Sequence, residues 1–377
     1  MKKTVFIAAL AVVAMASCTK NELKVPSTGT DAVISFQPVV ANATKADYIT
    51  NSSIAPTGDP KSSTFQFAVF AWYPPGGGEM TASTENGTRY MDNVQVTYKT
   101  FDDTNDAGSG TWAPATNYYW PKNGKLSFDA YAPASAHDGT PSAGKGKFTS
   151  DIKKGLQIAN YTVAALANQY DLLYSTRAVN KNTSNGGNTG NVTYDGVDIA
   201  FKHALAAIEV KAKTAANYGA DVIQLTGVTI QNAYTKGNFS QGMSSPIAEG
   251  TPAWTGHINE DNYVLFSGTQ SLTTSEVTSP TIKNAIVLPQ SFTHSPNEVS
   301  IKVDYQIKHG TSYLPQTQTF KLSTTSGSVA GGPSTSLSAW EMGKKYTYTL
   351  VFTLEDIHFA PSVEAWTDVT VKDIDVK

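Results

Sequence analysis

Residues 340–354 read "WEMGKKYTYTLVFTL". Past a turn signal at Gly343, Tyr346, Tyr348, Leu350, Phe352 and Leu354 fall at every second position, with Thr347, Thr349, Val351 and Thr353 between them. A period of two places the first set on one face of an extended chain; a helix would scatter the same residues around its axis. Tyr, Phe, Val and Thr also suit a pleated, half-buried surface. This stretch predicts a strand with one face in a core.

The same reading extends outward in both directions. "AVISFQPV" (32–39) sets Ile34 and Phe36 against Ser35 and Gln37. "STFQFAVFAWYPPGGG" (63–78) gives an apolar strand from Phe65 to Tyr73, stopped by two prolines and three glycines. "NVQVTYKTFDD" (93–103) alternates again, and a turn at Asn123-Gly124 leads into a strand through Leu126, Phe128 and Ala130 that Pro133 ends. "VIQLTGVTIQNAY" (222–234), "AIVLPQSF" (285–292), "EVSIKVDYQIKH" (298–309) and "TQTFKLST" (317–324) supply further strands. In "VDIAFKHALAAIEVKAK" (197–213), Phe201, His203 and Leu205 share one phase, and Ile208, Val210 and Ala212 share the other. A switch of that kind predicts a bulge or kink within one strand. Only "TVAALANQ" (162–169) suggests a helical turn or two, and "VNKNTSNGGNTGN" (179–191) has no means of packing a core. Strands dominate and helical periodicity is nearly absent, so the expected class is all-β, as two β-sandwiches.

Composition agrees. Hydrophobic residues make up 40%, enough to bury a core, while charged residues are 16%, against about 25% in a typical soluble domain. Thr, Ser, Asn and Gly carry the polarity, the balance of an extracellular β-protein. The formal net charge is −3, and no basic run marks a nucleic-acid partner. The sequence contains no HExxH, GxSxG, P-loop or GxGxxG, and its six histidines are dispersed without zinc-ligand spacing. "DDTNDAG" (102–108) fails the EF-hand pattern, because Ala107 and Pro114 occupy ligand positions. Neither a catalytic role, a metal nor a cofactor is expected. Trp72 and Tyr73 could face a sugar ring, but they read first as the end of a core strand, and His203 reads as a satisfied core histidine.

The single cysteine, Cys18, follows Lys2, Lys3, an apolar run Val5–Ala16 and the small pair Ala16-Ser17. That run is too short to span a bilayer, which takes about 20 residues. It has the size of a signal-peptide core. Cysteine directly after small residues is the arrangement of a lipobox, with Met15 where leucine or valine is usual. The expectation is a lipoprotein signal over 1–17 and lipidation of Cys18, followed by a polar tether over 18–30. Cleavage there leaves 377 − 17 = 360 residues with net charge −5, since Lys2 and Lys3 are lost. No internal disulfide is then available, so stability has to come from burial.

Four stretches, in order behind such a signal, resemble the fimbrillins of Gram-negative anaerobes, the subunits of type V pili and their lipoprotein relatives. They are "YYWPKNGKLSFDAYAP" (118–133), "DLLYSTR" (171–177), "FKHALAAIEV" (201–210) and "WEMGKKYTYTLVFTLEDIHFAPSVEAW" (340–366). The resemblance implies two transthyretin-like β-sandwich domains, here 31–195 and 196–377, with lipoprotein export to the outer membrane. It also implies a protease that trims the N-terminus, after which a neighbouring subunit's strand fills the groove left behind. The cut would fall in "NATKAD" (42–47), between Lys45 and Ala46. In the best-known members an arginine precedes the cut; here arginine occurs only at 89 and 177, inside apparent strands. The donor would be "VEAWTDVTVKDIDVK" (363–377), with Val369 and Val371 in one phase and Ile374 and Val376 in the other. Each such side chain would contribute about 1.5–3 kcal/mol when buried, before the cost of ordering the strand.

The function so implied is a structural subunit of a surface pilus that supports adhesion. Its partners would be other pilin subunits (copies of itself and tip or anchor types), the outer membrane through the lipid, and a host or bacterial surface receptor. The alternative is a non-polymerising surface lipoprotein or tip adhesin that binds a glycan or host protein.

Overall fold

The computed structural model describes residues 33–40, 65–99, 111–140, 142–183, 196–219, 222–324, 326–329 and 334–365. These are all-β, with only short 3-10 turns besides. In order, the strands are β1 (Phe36–Val40), β2 (Phe67–Tyr73), β3 (Thr88–Lys99), β4 (Thr111–Pro114), β5 (Leu126–Ala132), β6 (Lys147–Asp151), β7 (Gly155–Thr162), β8 (Leu173–Ser175), β9 (Ala178–Lys181), β10 (Val197–His203) and β11 (Ala206–Thr214). They continue with β12 (Ile223–Ser240), β13 (Ala253–Ser271), β14 (Ala285–Val287), β15 (Gln290–Ser291), β16 (Ser300–His309), β17 (Ser312–Lys321), β18 (Ser326–Val329), β19 (Ser334–Ser336), β20 (Ala339–Trp340), β21 (Lys344–Phe352) and β22 (Ile357–Ala365).

Where a first sandwich was expected, the strands run β2-β3-β4-β1-β10-β8-β5, and β5 pairs back to β2. Seven strands therefore close into a barrel-like ring, with β9 attached outside to β5. Closure leaves no free edge in the ring. Phe36, Phe67, Val69, Phe128, Ala130, Ile199 and Phe201 fill one buried cluster. The opposite faces of β2, β5 and β8 belong to a second cluster through Ala68, Phe70, Tyr131 and Tyr174. Burial on both faces explains why "FAVFAWY" reads as a continuous apolar run without alternation.

The second cluster is shared by two more sheets. One runs β14-β11-β21-β22-β18-β19 and the other β17-β16-β12-β7-β6, with β13 on the far side of β12. They meet where the rings of Tyr305 on β16 and Phe352 on β21 lie edge to face, 5.3 Å between centroids. Strands on either side of position 195 exchange sheets: β6 and β7 join β12, and β10 completes the barrel.

Several expectations change. The phase switch at 204–206 is no bulge. The chain leaves the barrel after His203 and enters a different sheet at Ala206, parallel to β21. Leu354 does not continue the inward face of β21. The strand ends at Phe352, the Thr353 hydroxyl accepts the Glu355 and Asp356 N–H groups at 3.1 and 2.8 Å, and Leu354 points outward, 50% exposed. Arg177 lies between β8 and β9, in neither strand. The segment 162–169 begins with the last residue of β7 and holds a single 3-10 turn, Leu166–Asn168.

Candidate functional site

β1 is short, and it is held unevenly by its two neighbours. It runs parallel to β10 over five residue pairs, from Phe36↔Val197 to Val40↔Phe201, and meets β4 at one antiparallel pair, Phe36↔Trp112. Proline cannot donate to a ladder, which suits Pro38 in a strand so sparsely bonded on its β4 side. Just before the strand, the Ile34 N–H donates to the Tyr118 carbonyl at 2.7 Å, and the Ser35 carbonyl accepts the Val197 N–H at 2.8 Å.

The alternation of Ile34 and Phe36 with Ser35 and Gln37 is realised. Ile34 is 0% and Phe36 2% exposed, and both belong to the barrel core. The Phe36 ring stands edge-on to Phe67 at 6.0 Å and to Phe128 at 5.6 Å. Phe65, Phe67, Trp112 and Phe201 interlock around the same space, with centroids 5.5–6.3 Å apart. Edge-to-face rings at such spacings add to the burial term. Burying Ile34 and Phe36 stabilises β1 in its slot by about 1.5–3 kcal/mol each. Gly196 makes the approach of β10 possible, because a Cβ there would lie 2.5 Å from the Phe36 carbonyl carbon. Sequence reading gave no hint of this glycine; its role depends on a strand 160 residues earlier (196 − 36).

The covalent link from β1 to the rest of the described protein is the connection 41–64, which leads to β2. Lys45 and Ala46 belong to that connection and lie outside the described residues, as do Cys18 and the acidic stretch 102–108. Toward the C-terminus, β22 is held between β21, through nine antiparallel pairs, and β18, through two parallel ones. The first three residues of "VEAWTDVTVKDIDVK" are therefore part of β22, and Val363 is 8% exposed. Val369, Val371, Ile374 and Val376 lie outside the described residues.

The remaining candidates are built into the fold. Trp72 donates through Nε1 to the Ser150 hydroxyl at 2.8 Å, and the Arg89 guanidinium covers its ring at 3.9 Å from the centroid. This cation–π contact occupies one face of the indole. The Tyr73 hydroxyl donates to the Asn123 carbonyl at 2.7 Å. His203 lies 2.7 Å from Asp171, both side chains fully buried, as expected of a core histidine. Arg177, also fully buried, donates to both oxygens of Asp129 and to the carbonyls of Asp151, Ile152 and Pro246. Burial pushes the Tyr90 and Tyr170 hydroxyls up to about 12. Among the described residues no group of three or more His, Cys, Asp or Glu side chains could hold a metal, and no helix is long and apolar enough to cross a membrane.

The slot occupied by β1 is thus a place where a short apolar strand, tied to the body by one connection, completes a core. A fimbrial protein of Bacteroides vulgatus has a similar fold, with TM-score 0.52, 20% identity, and coverage of 89% of this chain and 99% of that one. The C-terminally truncated tip fimbrial protein Mfa3 of Porphyromonas gingivalis aligns with TM-score 0.38 and 12% identity over 80% of this chain and 94% of its own. No curated protein sequence matches the chain. A fimbrillin-like family model matches residues 41–366, a span that covers most of the sequence and leaves out β1 and residues 367–377. On that match, the chain belongs to the fimbrillin-like family.

Proposed function

We propose that the protein is a structural subunit of a surface fimbrium, exported as an outer-membrane lipoprotein through Cys18 and polymerised by proteolysis-triggered strand exchange. The observation that carries this reading is β1. It supplies two buried anchors to the barrel, is paired along β10, and hangs from the body by one connection that contains Lys45. Cleavage between Lys45 and Ala46 would sever that connection. Departure of β1 would expose the backbone of β10 and part of β4 beside an apolar slot, an edge that invites strand addition.

The strand added would come from the C-terminal segment of a neighbouring subunit, with Val369, Val371, Ile374 and Val376 as its apolar side chains. Such a contact joins unlike surfaces, does not close on itself, and so propagates a filament. The transthyretin-like two-domain organisation implied by the resemblance belongs to this reading. The alternative, a non-polymerising surface lipoprotein or tip adhesin that binds a glycan or host protein, is supported less well, since Arg89 covers one face of Trp72.

The test is mass spectrometry of the mature N-terminus from native cells, alongside electron microscopy of a Lys45→Ala strain. Lipidated Cys18 in the precursor, Ala46 at the N-terminus of the polymer and no filaments in the variant are expected. Normal filaments of the Lys45→Ala protein would overturn cleavage at this site as the trigger.

A further inference from the structure

We infer that the outer half of the β12–β13 hairpin is a brace. It fixes β8 and one end of β10 to the rest of the fold without help from β1, so that the slot keeps a fixed end while β1 is absent. The inference rests on the strand-exchange reading above and adds the device that keeps the slot ready for an incoming strand.

The two halves of β10 are held differently. Among the described residues, 197–199 have ladder partners only in β1, through Phe36↔Val197, Gln37↔Asp198 and Pro38↔Ile199. From Ala200 onward β8 takes over. The Thr176 N–H donates to the Ala200 carbonyl at 2.9 Å, and the Ala204 N–H donates to the Leu172 carbonyl at 2.8 Å. Between them Phe201, Lys202 and His203 pair with Ser175, Tyr174 and Leu173. Loss of β1 therefore strips 197–199 and leaves 200–204 hanging on β8. That strand is three residues long and meets β5 at only two pairs. A pair of short strands is marginally stable by itself, so this end of the slot needs a further support.

The hairpin supplies it. Trp254 of β13 donates through Nε1 to the Ala204 carbonyl at 2.6 Å, a buried bond. Gln241 donates through Nε2 to the Ser175 carbonyl at 3.0 Å. The Phe239 ring lies 4.9 Å from that of Tyr174 on β8 and 5.5 Å from that of Trp254, so rings and hydrogen bonds act from one packed group. In the connection between the two strands, the Pro246 carbonyl accepts from Arg177 at 3.0 Å, and Glu249 reaches Lys202 of β10 at 3.1 Å. That last pair is partly exposed and adds little. None of these contacts involves β1 or β4. The opposite wall is also tied elsewhere, since β4 pairs with β3 from Val96↔Pro114 to Lys99↔Thr111. An incoming strand then has to order 197–199 and not a whole wall, and less ordering means less entropy lost on binding.

The experiment uses the full chain with a specific protease site replacing residues 43–47, cut after folding. The β1 fragment is removed by gel filtration in urea below the unfolding midpoint. Hydrogen exchange of the Thr176 and Ala204 amides, read by NMR, then reports the β8–β10 contact without involving β1. In the parent, both amides should stay protected to within about tenfold of the uncut chain. Trp254→Phe keeps a ring against Phe239 and removes the donor to Ala204. It should lower protection at least about tenfold further in the stripped form than in the uncut form, about 1.4 kcal/mol or more. Tyr348→Phe removes the hydroxyl that Trp340 Nε1 meets at 2.9 Å in the second core, and as the matched control it should act equally on both forms. Equal losses for Trp254→Phe in the two forms overturn the inference, as does wholesale loss of protection in the stripped parent, and either result leaves strand exchange standing. If the fragment leaves only when the whole chain unfolds, strand exchange itself fails, and the inference with it.

Discussion

The backbone of Phe36 lies against Gly196 so closely that a Cβ on the glycine would fall 2.5 Å from the Phe36 carbonyl carbon and 2.6 Å from its nitrogen. The neighbour is main chain and cannot swing aside, so a larger residue has to push β1 away from β10. Gly196→Ala should destabilise the protein by about 1–3 kcal/mol, the usual cost of overpacking a tight site. Denaturant melts measure it. The same substitution should speed release of β1 once the 41–64 connection is cut, which ties the stability effect to this strand. Unchanged stability and release would mean that β1 can yield at no cost.

Arg177 and Asp129 form a fully buried ion pair, both side chains at 0% exposure and 2.7 Å apart. Arg177 also ties three carbonyls from two other segments to β5, so its five donors are largely satisfied. Removing one partner leaves a buried charge without its counterion. Arg177→Met should cost about 3–5 kcal/mol. Adding Asp129→Leu should recover a good part of that loss, because the stranded carboxylate is then gone. A double-mutant cycle from urea melts checks both. A double variant no more stable than Arg177→Met would show that the carbonyl contacts, and not the charge pair, dominate.

What could be read in the sequence follows from this physics. Inward faces were legible wherever one side of a strand is dry, as in Tyr346–Phe352 and in Ile34 and Phe36, because burial imposes period two. β13 gave no signal. Its sequence "AWTGHINEDNYVLFSGTQS" lies mostly exposed along the edge of β12, with four register shifts, so nothing enforces alternation there. Membership of sheets was equally hidden. The break between His203 and Ala206 looks like a bulge in one dimension, and only long-range pairing shows that the two halves serve different sheets. For the slot itself, the sequence showed the guest side chains but not their host. Phe67, Phe128 and Gly196 converge on Phe36 from distant strands.

His137 gives the fold a pH dependence. Its Nδ1 accepts the Phe148 N–H of β6 at 3.1 Å, which only the neutral ring can do. Burial lowers its affinity for a proton below the ordinary value of 6.5. The unfolded chain therefore binds more protons than the folded one as pH falls below 6.5, so this contribution is complete above that value and is lost as pH drops through the folded value. Melting temperature should decline from pH 7 toward pH 5. His137→Asn, which keeps an acceptor and cannot titrate, should flatten that part of the profile. A parallel decline in the variant would assign the effect to other groups.

β17 has no second strand partner among the described residues, and Pro315 sits in the middle of it, opposite Gln306. A proline on an edge withholds a donor and discourages a further strand from docking. Leu314 beside it is 49% exposed, so the edge carries an apolar side chain as well. Pro315→Thr should raise self-association without loss of folding, seen as concentration-dependent light scattering. This association should not need cleavage at Lys45, which separates it from the proposed polymerisation. A monomeric variant at all concentrations would show that the edge is guarded by something else.

The C-terminal boundary of β22 makes the donor role testable without confusing it with folding. Val363 is 8% exposed within the second core, and Val363–Ala365 pair with Lys344–Tyr346 of β21. A truncation from 363 therefore removes a core side chain and three ladder pairs along with any donor. Truncating a buried valine alone costs on the order of 1–3 kcal/mol, and the stripped β21 residues lose their partners besides. A truncation from 366 leaves β22 whole. The two deletions should separate: 363–377 lowers the melting temperature, and 366–377 leaves it unchanged while abolishing growth of SDS-resistant ladders from the cleaved protein. The shorter deletion is decisive, because β22 stays intact and only the segment bearing Val369, Val371, Ile374 and Val376 is gone. Ladders that persist after loss of 366–377 would remove this segment as the donor. A melting temperature that falls with that shorter deletion would place it in the subunit's own core and return the protein to the non-polymerising reading.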